Sequence, residues 1–162
     1  MSDISDPTST VERRTFLGAA GLAGMAALGG GVGEAAQLSD GEKTNMKTVA
    51  DFCAAWSTRD LTKILPFLAD DSVYRMTETT PPALGPAGVR ERLASWMETS
   101  QQIEFRILET YARGPMVVNH RIDRFVSTTR PLTWEGVGVF FVKDGKIKEW
   151  SDYTIRVERP PA

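Results

Sequence analysis

Asn119-His120-Arg121-Ile122-Asp123-Arg124-Phe125 alternates between two kinds of side chain, with the period of a β-strand. Asn119, Arg121, Asp123 and Phe125 share one face, and His120, Ile122 and Arg124 share the other. Read alone, Arg121 and Asp123 make a same-face ion pair of the kind that exposed sheets carry freely and that stabilises them little. The reading changes beside Trp150-Ser151-Asp152-Tyr153, where a second carboxylate stands in a strand among aromatic residues. Two carboxylates and an arginine are sufficient for acid and base chemistry.

Working outward, four runs read as strands, over residues 103–113, 115–125, 132–142 and 147–157. Lys143-Asp144-Gly145-Lys146 joins the last two, and its Asp-Gly supplies the positive φ of a type I′ hairpin turn. Upstream, Met46, Val49, Phe52, Cys53 and Trp56 recur at three and four and predict a helix over 44–59. Asp60 is placed to cap a short second helix over 61–68, with Pro66 marking a kink or a shortened turn. A first strand is expected over 72–77. Residues 79–86, rich in proline, are expected to form no regular structure. Pro86 then opens a helix over 87–99 with Val89, Leu93 and Trp96 inward. Helices first and a long meander afterwards describe an α+β domain with helices in the concave side of a curved sheet.

The composition, 41% hydrophobic and 25% charged over 162 residues, suits one globular domain plus a leader. The formal charge is −2. Without residues 1–36 the body carries 17 basic and 17 acidic residues, and this neutrality argues against nucleic acid or an anionic membrane as partner. With one cysteine, Cys53, and one histidine, His120, neither an intramolecular disulfide nor a His/Cys metal cage can form. Cys53 is expected as a small buried hydrophobe, and His120 faces away from the charged face.

Arg13 and Arg14 stand directly before Thr15-Phe16-Leu17-Gly18 and a mildly apolar, glycine- and alanine-rich run. The pattern resembles a twin-arginine export signal. Residues 1–36 are therefore expected to be a leader and 37–162 the domain. The resemblance implies a periplasmic or extracellular protein that meets the membrane only in transit.

Residues 46–157 resemble the limonene-1,2-epoxide hydrolase family, within the cystatin-like, NTF2-like and SnoaL-like superfamily. The likeness rests on Phe67-Leu68-Ala69-Asp70-Asp71-Ser72-Val73-Tyr74, Pro81-Pro82-Ala83-Leu84-Gly85, Arg121-Ile122-Asp123, and Gly136-Val137-Gly138-Val139-Phe140 continuing to Trp150-Ser151-Asp152-Tyr153. It implies a cone built on a mixed, mostly antiparallel sheet. Asp123 would be the acid, Arg121 the bridge and Asp152 the base, with Tyr74 helping to hold the attacking water. The family places an asparagine two residues after that tyrosine as a second water holder, where this chain has Met76. Thr77 and Glu78 become candidates for the missing polar group.

The implied reaction is one-step hydrolysis of an apolar, terpenoid or alicyclic epoxide to a vicinal diol. The acid protonates the oxygen as water attacks, without covalent intermediate, cofactor or metal. Phe125, Leu93, Trp96, Trp134, Val139 and Trp150 are expected to line the substrate site, although a bulge near Gly136 and Gly138 would exchange the faces of that strand. The family also implies a homodimer, with the outer strand face against a second copy. Two other classes compete. An epoxide-opening cyclase could use a substrate hydroxyl in place of water and tolerate Met76, whereas the tyrosine–carboxylate dyad of a ketosteroid-isomerase-like enzyme is absent. A binding module without chemistry would keep the fold but not need both carboxylates.

Overall fold

In a computed structural model, residues 37–129 and 131–159 are described; the leader expected over 1–36 lies outside them. Helix α1 (Asp40–Ala55) starts earlier than its apolar period suggests, because Ser39 and Glu42 form a reciprocal capping box. Glu42 also accepts from the Gly114 amide at 2.8 Å, while the Asn45 side chain donates to the Gly114 carbonyl at 3.0 Å. One helix end thus grips a hairpin turn about seventy residues away. The inward face of α1 buries Val49, Phe52 and Cys53.

A 3₁₀ turn, Trp56–Thr58, follows, and Arg59 in the left-handed region reverses the chain. Asp60 caps α2 (Leu61–Ile64) by accepting from the Thr62 amide. Pro66 shortens this segment as its missing N–H demands: α2 gives way to a 3₁₀ turn, Leu65–Phe67, with the proline at its start. Strand β1 (Leu68–Arg75) begins at once.

The proline-rich stretch, expected to be irregular, contains a two-residue strand, β2 (Ala83–Leu84), paired antiparallel to Val73 and Tyr74 of β1. Pro81 and Pro82 precede the paired residues and Pro86 follows them, so Ala83 and Leu84 keep their amides and an edge strand can form. Helix α3 (Gly85–Thr99) then packs Val89, Leu93 and Met97 inward. Gly85 has φ +64°, and a Cβ there would lie 2.7 Å from the Asp70 carbonyl oxygen, so only glycine fits this start.

The remaining strands are β3 (Ser100–Arg113), β4 (Met116–Ser127), β5 (Leu132–Lys143) and β6 (Lys146–Glu158). Asp144 and Gly145, both with positive φ, make the β5–β6 turn as their sequence requires. The six strands run in the order β2-β1-β6-β5-β4-β3, antiparallel except for β1 against β6. The α+β class is the expected one. The helices cover one face of the sheet, and the core beneath them is aromatic: Phe52 meets Trp150 edge to face at 4.9 Å, and Trp56 stacks on Phe105 at 4.6 Å. The opposite face, where a second copy is expected, exposes Phe141, Tyr153 and Ile155.

Candidate active site

Strand β4 alternates as its sequence dictates, with Val117, Asn119, Arg121 and Asp123 buried and their neighbours more exposed. Arg121 is 1% exposed. Its Nε donates to both oxygens of Asp123 at 3.0 Å, its Nη2 to Asp152 Oδ1 at 2.7 Å, and its Nη1 to Asn119 Oδ1 at 3.1 Å. Asn119 in turn points its amide at the Cys53 sulfur, 3.7 Å away. The guanidinium also lies 4.8 Å from the Trp134 ring and 5.1 Å from Phe105. A desolvated cation is thereby held by carboxylates and ring faces together.

Reaching Asp152 requires Arg121 to cross a whole strand, since β5 lies between β4 and β6. Gly138 opens that path. It is paired with Asn119 on one side and Asp152 on the other, and a Cβ on it would stand 2.1 Å from Arg121 Nη1. Gly136 does the same for Trp134, whose ring would lie 2.2 Å from an added Cβ. The Gly-Val-Gly pattern is therefore a seat for two large side chains.

The face of β5 is settled by these contacts. Trp134, Gly136, Gly138 and Phe140 point inward, and the alternation is unbroken. Val139 is consequently on the outer face, contrary to the expectation that it lines the substrate site. The bulge exists, but β6 carries it: Gly136 pairs with Thr154 and Glu135 with Arg156, leaving Ile155 as the extra residue.

Inward from the ionic group lies a cavity of about 210 Å³, walled by Leu93, Trp96, Phe125, Trp134 and Trp150, with Tyr74, Thr77, Asp123 and Asp152 also in its lining. A larger recess of about 830 Å³ between α2, α3 and the β5–β6 turn includes Asp71, Arg90 and Lys148 but no member of the ionic group. Size does not outweigh chemistry here, and the smaller cavity is the candidate site. Tyr74 stacks on Trp150 at 3.8 Å, and its hydroxyl has no protein hydrogen bond among the described residues. Thr77 pairs with the Thr80 hydroxyl at 2.5 Å. Glu78, the other water-holding candidate, is outside the lining: its carboxylate accepts from the Thr154 amide at 2.9 Å.

The two carboxylates are not equivalent. Burial pushes Asp123 up to about 7 against the pull of Arg121, and the negative Asp152 adds to the rise. Burial raises Asp152 as well, but Arg121 and the Trp150 indole N–H, both on Oδ1 at 2.7 and 2.8 Å, favour its charged form. Asp123 has only one N–H shared between two oxygens. The proton of the pair therefore resides on Asp123, leaving Asp152 ionised with one oxygen uncommitted. Although burial works against its charge, Arg121 is held protonated by Asp152 and Asp123. Burial pushes the Cys53 thiol up to about 12, so it is not a nucleophile.

Several lining residues escaped the sequence reading. Phe105 could have been found from its place on β3 opposite Asp123, and Thr154 from its position two residues after Asp152. Leu132, Val157 and Arg159 carried no such signal.

This arrangement sits in a fold with known relatives. The model of the SnoaL-like domain matches residues 49–150, and the chain belongs to that family. Among solved structures it is similar to an LEH-like epoxide hydrolase of M. tuberculosis, at 25% identity and a TM-score of 0.63, over 70% of this chain and 84% of that one. It is also similar to a provisionally assigned polyketide cyclase of Xanthomonas campestris, at 19% identity and a TM-score of 0.62, over 70% and 92% of the two chains. A SnoaL-like protein of Jannaschia, provisionally assigned the same way, matches at 16% identity and a TM-score of 0.63, over 74% and 91%. The NTF2-like fold of this chain is thus shared with proteins described as an epoxide hydrolase and, provisionally, as cyclases.

Proposed function

We propose that this protein hydrolyses a small apolar epoxide to a vicinal diol. The observation that carries the reading is the buried Asp123–Arg121–Asp152 chain facing an aromatic cavity, with Asp123 pushed up to about 7. Asp152 takes a proton from water as the water oxygen bonds to an epoxide carbon. The carbon–oxygen bond of the ring breaks, and Asp123 gives its proton to the departing oxygen. The site begins with one carboxylate negative and ends with the other negative, so Arg121 faces the same total charge throughout. A proton returned from Asp152 to Asp123 through solvent resets it. Attack from the face opposite the breaking bond gives inversion at that carbon.

At about 210 Å³ the cavity is below the roughly 300–1,000 Å³ of drug-sized sites, which favours a monocyclic substrate. Its walls offer rings and aliphatic groups, and the few polar atoms converge on one end. Cyclohexene oxide and limonene oxide in oxygen-18 water are the test, read as labelled diol. Wild-type turnover that Asp123→Asn and Asp152→Asn both abolish supports hydrolysis; a folded wild type that forms no diol from an epoxide panel removes it.

A second reading is favoured by Met76, which brings a thioether to the cavity lining where the epoxide hydrolase family has an asparagine. An epoxide-opening cyclase would replace water with a hydroxyl of its own substrate and keep both carboxylates. Cyclic ether, and no diol, from a hydroxy-epoxide would select it.

A further inference from the structure

With Met76 unable to hold water, the polar group that completes the site has to come from elsewhere in the lining. Thr154 stands on β6 two residues beyond Asp152, on the same side of the strand, and lines the cavity. Successive same-face residues are about 6–7 Å apart along a strand, a gap that one water bridges. The bulge begins at Thr154, and bulges re-aim the side chains beside them. Both main-chain and side-chain contacts fix this residue: its amide donates to Glu78 at 2.9 Å, and its hydroxyl oxygen accepts from Trp134 Nε1 at 3.0 Å. Trp134 is itself pinned over Gly136. Having accepted from the indole, the Thr154 hydroxyl still has its own proton, for which the described residues supply no acceptor.

We infer that Thr154 is the second holder of the attacking water, donating its hydroxyl proton to the water oxygen while Asp152 accepts one water proton. The inference rests on the hydrolase reading above. Four tetrahedral directions of the water are then accounted for. One proton goes to Asp152 and the other to the Tyr74 oxygen; one lone pair is occupied by Thr154, and the last is left to face the epoxide carbon. Thr77 is less suited, since its hydroxyl is engaged with Thr80. Glu78 acts one step back, as a positioning residue that holds the Thr154 backbone.

The test compares Thr154→Val, which keeps the shape and removes the hydroxyl, with Thr154→Ser, which restores it. Turnover of cyclohexene oxide and binding of trans-1,2-cyclohexanediol, followed by tryptophan fluorescence, are measured in parallel. The diol carries a hydroxyl where the water stood, so it reports on Thr154 whether or not the chain is a hydrolase. Expected are a fall of about three- to tenfold in kcat and in diol affinity for Thr154→Val, the effect of one hydrogen bond, with recovery in Thr154→Ser. Repeating Thr154→Val in a Trp134→Phe background separates two roles. The loss persists if the hydroxyl holds water and vanishes if it only holds the indole. Unchanged diol affinity in Thr154→Val, an equal loss in Thr154→Ser, or a wild type that binds no diol overturns the assignment. No diol formed by a wild type that still binds diol through Thr154 overturns hydrolysis and the attacking water with it, and leaves Thr154 as the holder of a ligand hydroxyl.

Discussion

Two charge clusters lie on opposite faces of the same strands, one with a single arginine between two carboxylates and the other with a single carboxylate between a histidine and an arginine. On the inner face Arg121 joins Asp123 and Asp152, each within 3.0 Å. On the outer face Glu135 accepts from His120 at 3.1 Å and from Arg156 at 2.8 Å. His120 and Arg121 are consecutive in the chain, yet the inner arginine side chain is 1% exposed and the outer Arg156 is 61% exposed. The outer cluster is partly open to water, and its one acid is kept ionised first by its hydrogen bond with His120 and then by Arg156. Exclusion of water from the inner cluster makes the second negative charge costly, and that cost leaves a proton available for chemistry. Burial and the ratio of acids to bases together make the difference.

The largest contrast is expected in turnover. Asp123→Asn or Asp152→Asn should reduce kcat for epoxide hydrolysis by about 10² to 10⁴, the usual contribution of a positioned acid or base. Glu135→Gln should leave it within about twofold. Equal losses from inner and outer variants would mean that the charges serve folding alone.

Next comes Gly138→Ala. The added Cβ meets the guanidinium at 2.1 Å, so either Arg121 withdraws from Asp152 or the sheet opens. A loss of about 1–3 kcal/mol in chemical unfolding is expected, together with most activity. An alanine variant with wild-type stability and turnover would show that Arg121 does not need the crossing.

The pH dependence should differ in sign between the two faces. Asp123 rises from 3.8 to about 7 on folding, so the folded state binds its proton more tightly than the unfolded chain. Its stabilising contribution is full below about pH 4 and is lost as pH rises through 7. Glu135 is lowered, chiefly by its hydrogen bond with His120, and its contribution is present above 4.5 and lost as pH falls through its depressed value. Urea titrations between pH 4.5 and 8 should show stability declining with pH in the wild type and a flatter profile in Asp123→Asn. A slope that survives that substitution would assign the proton elsewhere. The smallest effect is expected from Glu135→Gln at pH 7, a slight loss of stability that weakens further in high salt.

Much of this contrast was legible in the chain because a strand exposes its faces through a period of two. Arg121, Asp123 and Asp152 announced themselves as charges among apolar neighbours, and the Asp144-Gly145 turn fixed how the last two strands pair. The proline-rich edge strand β2 was hidden, since Ala83 and Leu84 make too short a run to show any period. The face of Val139 was ambiguous because glycines on both sides of it remove the apolar side chains that mark which way a strand faces. The bulge at Ile155 was unreadable for the opposite reason: Tyr153, Ile155 and Val157 continue a regular alternation while the pairing register shifts beneath them. Residues contributed by distant segments, such as Phe105, become visible only once β3 is laid beside β4.

The parallel pairing of β1 with β6 has a consequence for how the molecule comes into being. Its first strand finds its long partner only when the last has been made, a contact spanning about 75 residues of chain, and such distant closures are slow. The same last strand brings Asp152. A nascent chain that stops after β5 therefore has an unclosed sheet and an arginine short of one counter-charge, so assembly of the fold and arrival of the second buried carboxylate are a single late event.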